Sequence, residues 1–290
     1  MKVFVYGSLR RHEKYHHFLE DSMRLYEQAW IKGELFDTKK GYPVLHNGDN
    51  LVYGEIYEVS SETLKKLDGL EDYQEGREVN LFVRKEQEVN TDTGSVKALV
   101  YYGVNQALFQ EIIPSGDWKV HQFIKNHPEN VLYFAYGSCM DQERFQLAGV
   151  DQFFQRNLGA GHLKGYTMKY NFVVHDGGRG DIVEDGGEME GVVYDVPKEA
   201  VDYLFKREGV VPGWYRAAFV DVEIGNILHE DVLTFIVIGK KAEICPPLHY
   251  AREILRGSLP YVSENYHKKL KEQLVFLGIS EDQIVEMLKE

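Results

Sequence analysis

Hydrophobic positions along the chain fall into short apolar runs separated by turn residues, and the series occurs twice. Val3-Phe4-Val5 runs straight into Tyr6-Gly7-Ser8-Leu9, and Leu132-Tyr133-Phe134-Ala135 runs into Tyr136-Gly137-Ser138-Cys139-Met140. Period-two or continuous apolar character predicts strands over 52–59 and 190–196. A helix start follows each one. Ser60 or Ser61 can cap Glu62-Thr63-Leu64, and Pro197 suits the first turn of Pro197-Lys198-Glu199-Ala200. These helices are expected to end at Glu71 and Glu208. More strands are predicted over 79–83, 97–102, 216–224 and 232–238. The tail places apolar residues at helical spacing over 261–277, and Ser280 with Gln283 reads as a capping box opening a last short helix. So many strands with so few helices predict an α+β protein whose halves are each a small mixed β-barrel flanked by short helices.

The two halves hold a common register. Gly54-Glu55-Ile56-Tyr57-Glu58-Val59 matches Gly191-Val192-Val193-Tyr194-Asp195-Val196, displaced by 137 positions. The same displacement carries Leu67 onto Leu204, Glu71 onto Glu208, Phe82 onto Phe219 and Val83 onto Val220. Two copies make a tandem duplication and not a solenoid. The boundary is expected within 114–131, where Pro114-Ser115-Gly116-Asp117 breaks the pattern and Asn126-His127-Pro128 precedes the next strand. This gives domains 1–126 and 127–290.

Composition narrows the partners. The 290 residues are 43% hydrophobic and 27% charged, which suits a folded chain of two domains. With 33 Lys and Arg against 46 Asp and Glu, the net charge of -13 repels phosphate backbones and anionic lipid, so neither nucleic acid nor membrane is an expected partner. The longest apolar run, 232–238, is far short of a span. The first apolar stretch is too short for a signal peptide, so a cytoplasmic location is expected. Two cysteines, Cys139 and Cys245, make neither a disulfide framework nor a four-thiolate zinc site. No metal and no cofactor is expected.

Chemistry gathers at the repeated turn. A glycine directly after a buried strand lets backbone N–H groups approach a ligand closely, which suits a carboxylate or carbonyl oxygen. Both copies are followed by a matched glutamate. Glu208 stands at a helix end with Gly209 as a C′ residue. A carboxylate there meets the negative end of the helix, which raises its basicity toward that of a general acid or base. A plain strand-end turn and a solvated glutamate beside Lys206 and Arg207 are the structural alternatives. Other signals read as structural. Cys139 has no His or Asn spaced to activate it and reads as loop packing. His12, His16 and His17 have helical spacing that could hold a metal, but beside Arg10, Arg11 and Lys14 they read as a solvated helix face. Gly177-Gly178-Arg179-Gly180 and Gly186-Gly187 fit neither a Walker nor a dinucleotide fingerprint.

Taken together, these residues resemble the γ-glutamylcyclotransferase-like superfamily, as a tandem two-domain member, over nearly the whole chain. In the second half Tyr133-Phe134-Ala135-Tyr136-Gly137-Ser138, Gly191-Val192-Val193-Tyr194, Glu208-Gly209 with Gly213-Trp214-Tyr215, Pro247-Leu248-His249-Tyr250 and Gly257-Ser258-Leu259-Pro260-Tyr261 resemble γ-glutamylcyclotransferase itself. In the first half Val5-Tyr6-Gly7-Ser8-Leu9-Arg10, Gly41-Tyr42-Pro43, Gly54-Glu55-Ile56-Tyr57, Leu67-Asp68-Gly69-Leu70-Glu71 and Ser115-Gly116-Asp117-Trp118 resemble γ-glutamylamine cyclotransferase.

The resemblance implies a cofactor-independent reaction in which a γ-glutamyl amide or amine closes on itself, releasing 5-oxoproline and a free amine. It implies Glu208 and Glu71 as catalytic residues. It implies Tyr136, Gly137, Ser138, Cys139, Tyr215 and Tyr250, with Tyr6, Gly7, Ser8 and Leu9, as substrate-binding residues, and places the 177–180 glycines on a hairpin lining the pocket. Two positions depart from the pattern. Cys139 stands where the family most often has Asn. Glu78 matches Tyr215, which removes the substrate-facing tyrosine and is expected to bring a second carboxylate near Glu71. The second site therefore ranks above the first. A reading of another class is a non-catalytic, or one-domain-catalytic, binding protein for γ-glutamyl metabolites. Pairing with a second chain as a homodimer is left open.

Overall fold

The structure, a computed structural model, describes residues 1–289, and its contacts divide the chain into two units, Met1–Asn126 and His127–Glu290. The first unit is built from β1 (Lys2–Val5), β2 (Met23–Asp37), β3 (Pro43–Glu58), α1 (Ser61–Leu70), β4 (Phe82–Thr91), β5 (Gly94–Gly103), β6 (Glu111–Ile112) and α2 (Trp118–Asn126). Its strands run β3-β1-β5-β4-β2, and β2 pairs back onto β3, closing a ring with β6 added on β2. β1 is antiparallel to β3 and parallel to β5, so the barrel is mixed. Phe4, Ile31, Leu45, Ile56, Val100 and Trp118 fill it.

The second unit contains β7 (Asn130–Ala135), α3 (Gln142–Leu147), β8 (Asn157–Val174), β9 (Gly177–Pro197), α4 (Lys198–Arg207), β10 (Tyr215–Ile224), β11 (Ile227–Val237), α5 (Leu248–Ser258), α6 (Glu264–Phe276) and α7 (Glu281–Met287). Its strands close in the order β10-β11-β7-β9-β8. β7 is parallel to β11 and antiparallel to β9, as β1 is to β5 and β3. Both barrels are five-stranded and mixed, so the α+β expectation is met in each half. The Ser280–Gln283 capping box is present. Among the described residues no helix is long and apolar enough to cross a membrane.

One glycine per barrel lets the long strand close on the first. A β-carbon on Gly54 would collide with the Val5 carbonyl and stand 2.8 Å from the Phe4 ring; on Gly191 it would collide with the Ala135 carbonyl and stand 2.7 Å from the Phe134 ring. The sequence register therefore records a real steric demand, repeated once.

Two expectations give way. The strand predicted over 79–83 begins only at Phe82, and Val79 is 80% exposed. Asn80 Oδ1 accepts from Gln74 N–H and Arg77 Nε, so local polar bonds hold that segment as a loop. Within the first unit, Gly116 (φ 63°) turns the chain and its carbonyl accepts from Tyr53 N–H at 2.9 Å, so the 114–117 segment packs on that barrel and the units divide after it, at Asn126. The 12–17 histidines lie on no α-helix; His12 has φ 66° and a 3-10 turn spans His16–Leu19. Their helical spacing therefore sets no common face.

Candidate functional site

In the first unit, α1 carries Glu71 to the barrel mouth. The Ser60 hydroxyl accepts from Thr63 N–H at 3.0 Å, fixing the helix start. Glu71 closes the last turn, its N–H donating to Leu67 O at 2.9 Å. Asp72 follows in the left-handed conformation (φ 48°). Glu71 then borders a cavity of about 150 Å³, walled by Tyr6, Gly7, Ser8 and Leu9 from the turn and by Tyr15, Tyr42, Leu70 and Tyr101.

The turn is tightly held. Tyr6 donates its hydroxyl to Tyr101 O at 2.8 Å. Gly7 O accepts from Arg10 N–H and Ser8 O from Tyr15 N–H, at 2.9 and 2.8 Å. A β-carbon on Gly7 would stand 2.6 Å from Pro43 Cδ, so glycine is required for the turn to pack against Tyr42-Pro43. Behind it, Arg10 is buried. Its Nε lies 3.0 Å from Glu55 Oε1 and its Nη1 2.7 Å from Asp117 Oδ1. Arg11 N–H and Tyr57 Oη–H complete Glu55, while Asp117 also receives Lys119 N–H at the start of α2. Buried charges paired and hydrogen-bonded in this way stay charged: burial opposes the guanidinium's charge, but Asp117 and Glu55 overcome it and raise its proton affinity.

Burial alone pushes the Glu71 carboxyl up to about 7. Tyr6 and Tyr42 are raised by burial and then by the Glu71 charge, which keeps both hydroxyls neutral beside it. The helix-end argument made from the sequence for Glu208 is therefore not the main cause at either glutamate, where desolvation leads.

The second unit repeats the plan with different neighbours. Glu208 closes α4 as Glu71 closes α1, donating N–H to Leu204 O at 2.8 Å, and Gly209 takes the left-handed C′ position (φ 62°). Tyr136 donates to Phe235 O at 2.6 Å, the counterpart of the Tyr6 bond. Cys139 Sγ lies 3.7 Å from Glu208 Oε1. Arg207 places Nε 3.2 Å from Cys139 Sγ, 3.7 Å from Glu208 Oε1, and donates through Nη2 to Ser138 Oγ at 3.1 Å. Burial raises Glu208, while Arg207 and the Cys139 thiol pull it back down. Burial raises the Cys139 thiol too, which keeps it neutral. Turn and helix are anchored by an ion pair of reversed polarity, Asp141 on the turn and Arg256 on α5 at 2.5 Å.

Tyr215 donates to Gly180 O at 2.7 Å, and Gly180 N–H donates to Tyr250 Oη at 3.0 Å. A β-carbon on Gly137 would meet Tyr250 Oη at 3.2 Å, so this hydroxyl lies over the glycine turn. Burial pushes Tyr250 up to about 12. The 178–180 segment thus touches both tyrosines at this site.

The structure brings Tyr6, Gly7, Ser8, Leu9 and Glu71 to one cavity, and Tyr136, Gly137, Ser138, Cys139, Glu208, Tyr215 and Tyr250 to a second cluster. Glu78 stands apart from both. It is exposed on the loop before β4, and no second carboxylate contributes to the rise of Glu71, so the expected carboxylate pair is absent among the described residues. Sequence reasoning missed Tyr15, Tyr42, the Arg10–Glu55–Asp117 triad and the role of Arg207. For Tyr42 a signal existed in Gly41-Tyr42-Pro43, where Gly41 turns with φ 87°.

Comparison with known proteins gives a concordant result. The model of the family "Gamma-glutamyl cyclotransferase, AIG2-like" matches residues 3–120. YkqA of Bacillus subtilis (strain 168), whose name provisionally calls it a gamma-glutamylcyclotransferase, is 47% identical over 277 residues, 94% of this chain and 96% of that protein. The crystal structure of YkqA from Bacillus subtilis superposes with a TM-score of 0.87 at 44% identity, over 95% of this chain and 98% of that one. A Niallia circulans protein named gamma-L-glutamyl-butirosin B gamma-glutamyl cyclotransferase is 47% identical over 94 residues, 32% of this chain and 60% of that protein.

Proposed function

The chain belongs to the γ-glutamylcyclotransferase family, and we propose that it converts a γ-glutamyl amide or amine to 5-oxoproline and free amine, with Glu71 of the first unit as principal acid and base. This order reverses the ranking drawn from sequence. The observation that carries it is the placing of the half-buried Glu71 at the wall of a cavity shared with the Tyr6-Gly7-Ser8 turn, where burial pushes its carboxyl up to about 7. The family match to residues 3–120 supports the same half. The name of the Niallia circulans relative supports a γ-glutamyl substrate.

The nucleophile is the substrate's own α-amine. Glu71 as carboxylate takes a proton from the α-ammonium; the freed nitrogen attacks the γ-carbonyl carbon, forming the ring C–N bond and an oxyanion. Backbone N–H groups around Gly7 and Ser8 stabilise that oxyanion. As the intermediate collapses, Glu71 returns the proton to the departing nitrogen and that bond breaks; the ring nitrogen gives up its second proton through Glu71 to the released amine, which leaves as an ammonium. The small cavity favours the folded, near-attack conformer. The Tyr6 bond to Tyr101 O and the buried Arg10 triad keep the turn from yielding to the substrate. Glu208 supports a second, weaker site, since a guanidinium and a thiol already engage its carboxylate.

The test is release of 5-oxoproline from a panel of γ-glutamyl amino acids and amines by wild type, E71Q, E208Q and the double variant. E71Q is expected to remove most turnover and the double variant all of it. A wild-type chain that binds the panel without releasing 5-oxoproline would establish the binding-protein reading instead.

A further inference from the structure

The two sites are braced from different directions. In the first unit the bracing cation is Arg10, whose guanidinium is taken up by Glu55 and Asp117. The position matching Arg207 is Leu70, which lines the cavity. In the second unit the guanidinium comes from α4 and lies between helix end and turn. It reaches Ser138 Oγ (3.1 Å), Cys139 Sγ (3.2 Å), Tyr203 Oη (3.4 Å) and Glu208 Oε1 (3.7 Å), with 20% of its side chain exposed.

We propose that Arg207 is a positioning residue of the C-terminal site: its planar fork locks the Ser138–Cys139 turn onto the last turn of α4 and supplies the counter-charge to Glu208. Only a guanidinium can serve both ends, because its N–H groups diverge in one rigid plane, whereas an ammonium is a single point on a flexible stem. The groups facing Glu208 are Tyr133 from β7, Tyr136 and Cys139 from the turn, Arg207 from α4, Tyr215 from β10 and Tyr250 from α5. Burial holds the tyrosines and the thiol in their neutral forms, so Arg207 is the cation in this set. The counter-charge is therefore expected to separate the two matched glutamates, since burial acts on Glu71 without a guanidinium or thiol against its carboxylate. The departure at Cys139 fits the same device, since the thiol is the small group that Arg207 Nε packs against.

Two readouts test this on the full chain, and neither uses turnover, so failure of the cyclotransferase reading leaves them intact. The first is carbon-13 NMR titration of carboxyl-labelled glutamates, with Glu71 and Glu208 assigned by loss of signal in E71Q and E208Q. Glu208 is expected to titrate below Glu71; R207Q, which removes the charge, is expected to move the Glu208 midpoint up and leave Glu71 in place. The second is alkylation of Cys139 by iodoacetamide, separated from Cys245 by peptide mapping. R207K keeps the charge but loses the fork; it is expected to raise the Cys139 rate roughly tenfold, as loss of a charge-assisted hydrogen bond from the closed turn would do. An unmoved Glu208 midpoint in R207Q overturns the counter-charge, and an unchanged Cys139 rate in R207K overturns the clamp. If R207Q does not fold, a Glu208 midpoint in wild type at or above that of Glu71 decides against the counter-charge.

Discussion

Glu71 and Glu208 hold the same place in their two barrels, each closing the last turn of the helix that follows the long strand, and they differ in what touches the carboxylate. Leu9 and Leu70 occupy the positions that Cys139 and Arg207 occupy beside Glu208. Two apolar side chains leave desolvation unopposed and push Glu71 to about 7; a cation and a thiol donor moderate the same desolvation at Glu208. The two copies keep the position and differ in the groups that act on the carboxylate.

A carboxyl raised in the folded state binds protons more tightly there than in the unfolded chain. Its contribution to stability is fully present below about 4.5 and is lost as pH rises through about 7. A rise from 4.5 to about 7 corresponds to about 3 kcal/mol at neutral to alkaline pH. E71Q should therefore stabilise the first unit at pH 8 by up to that amount and have little effect near pH 4. Denaturant titrations at the two pH values, read by hydrogen exchange in β1 and β3, check it; an equal effect at both would contradict the assigned cause.

Arg10 neutralises two carboxylates that are almost fully buried. R10M leaves Glu55 and Asp117 without their cation, and breaking such a buried pair typically costs about 3–5 kcal/mol. The first unit should lose that much in chemical denaturation and should release the Gly7–Ser8 turn it braces. Hydrogen exchange at Tyr15 N–H, which donates to Ser8 O, should quicken.

At Gly54 a methyl group would be driven into the Val5 carbonyl and the Phe4 ring. Overpacking of this kind costs roughly 1–3 kcal/mol or more where backbone must shift. G54A should weaken the β1–β3 pairing of the first barrel and G191A the β7–β9 pairing of the second, each read by exchange in its own strands. Equal protection before and after substitution would mean the register glycines are incidental.

Much of this was legible in the chain because it depends on local rules. Ser60 marks a helix start by its hydroxyl and Gly209 a helix end by lacking a β-carbon, and the Gly54–Gly191 match records one steric demand met twice. Turn, helix end and glutamate follow from such signals, and in each unit the glutamate lies beside its turn. What the chain concealed depends on tertiary approach. Arg10 meets partners 45 and 107 positions away, and no periodicity announces that. Arg207 reads locally as a solvated cation beside a solvated glutamate; only the fold reveals that Ser138 and Cys139 sit under it. The proposed ranking of the two sites rests on the same kind of approach, since Leu9 and Leu70 stand beside Glu71 where a thiol and a guanidinium stand beside Glu208. Val79 misled in the opposite sense: an apolar residue suggested a strand where the bonds of Asn80 and Arg77 favour a loop.

The central claim is that Glu71 shuttles the proton, and the pH dependence of kcat/KM for 5-oxoproline release by the E208Q chain tests it most directly. The account predicts an acidic limb with a midpoint near 7, the pH at which Glu71 becomes a base, and a loss of about 10²–10⁴ in rate when E71Q is added. A limb near 4.5, or an E71Q, E208Q chain that still cyclises at the wild-type rate, would contradict it.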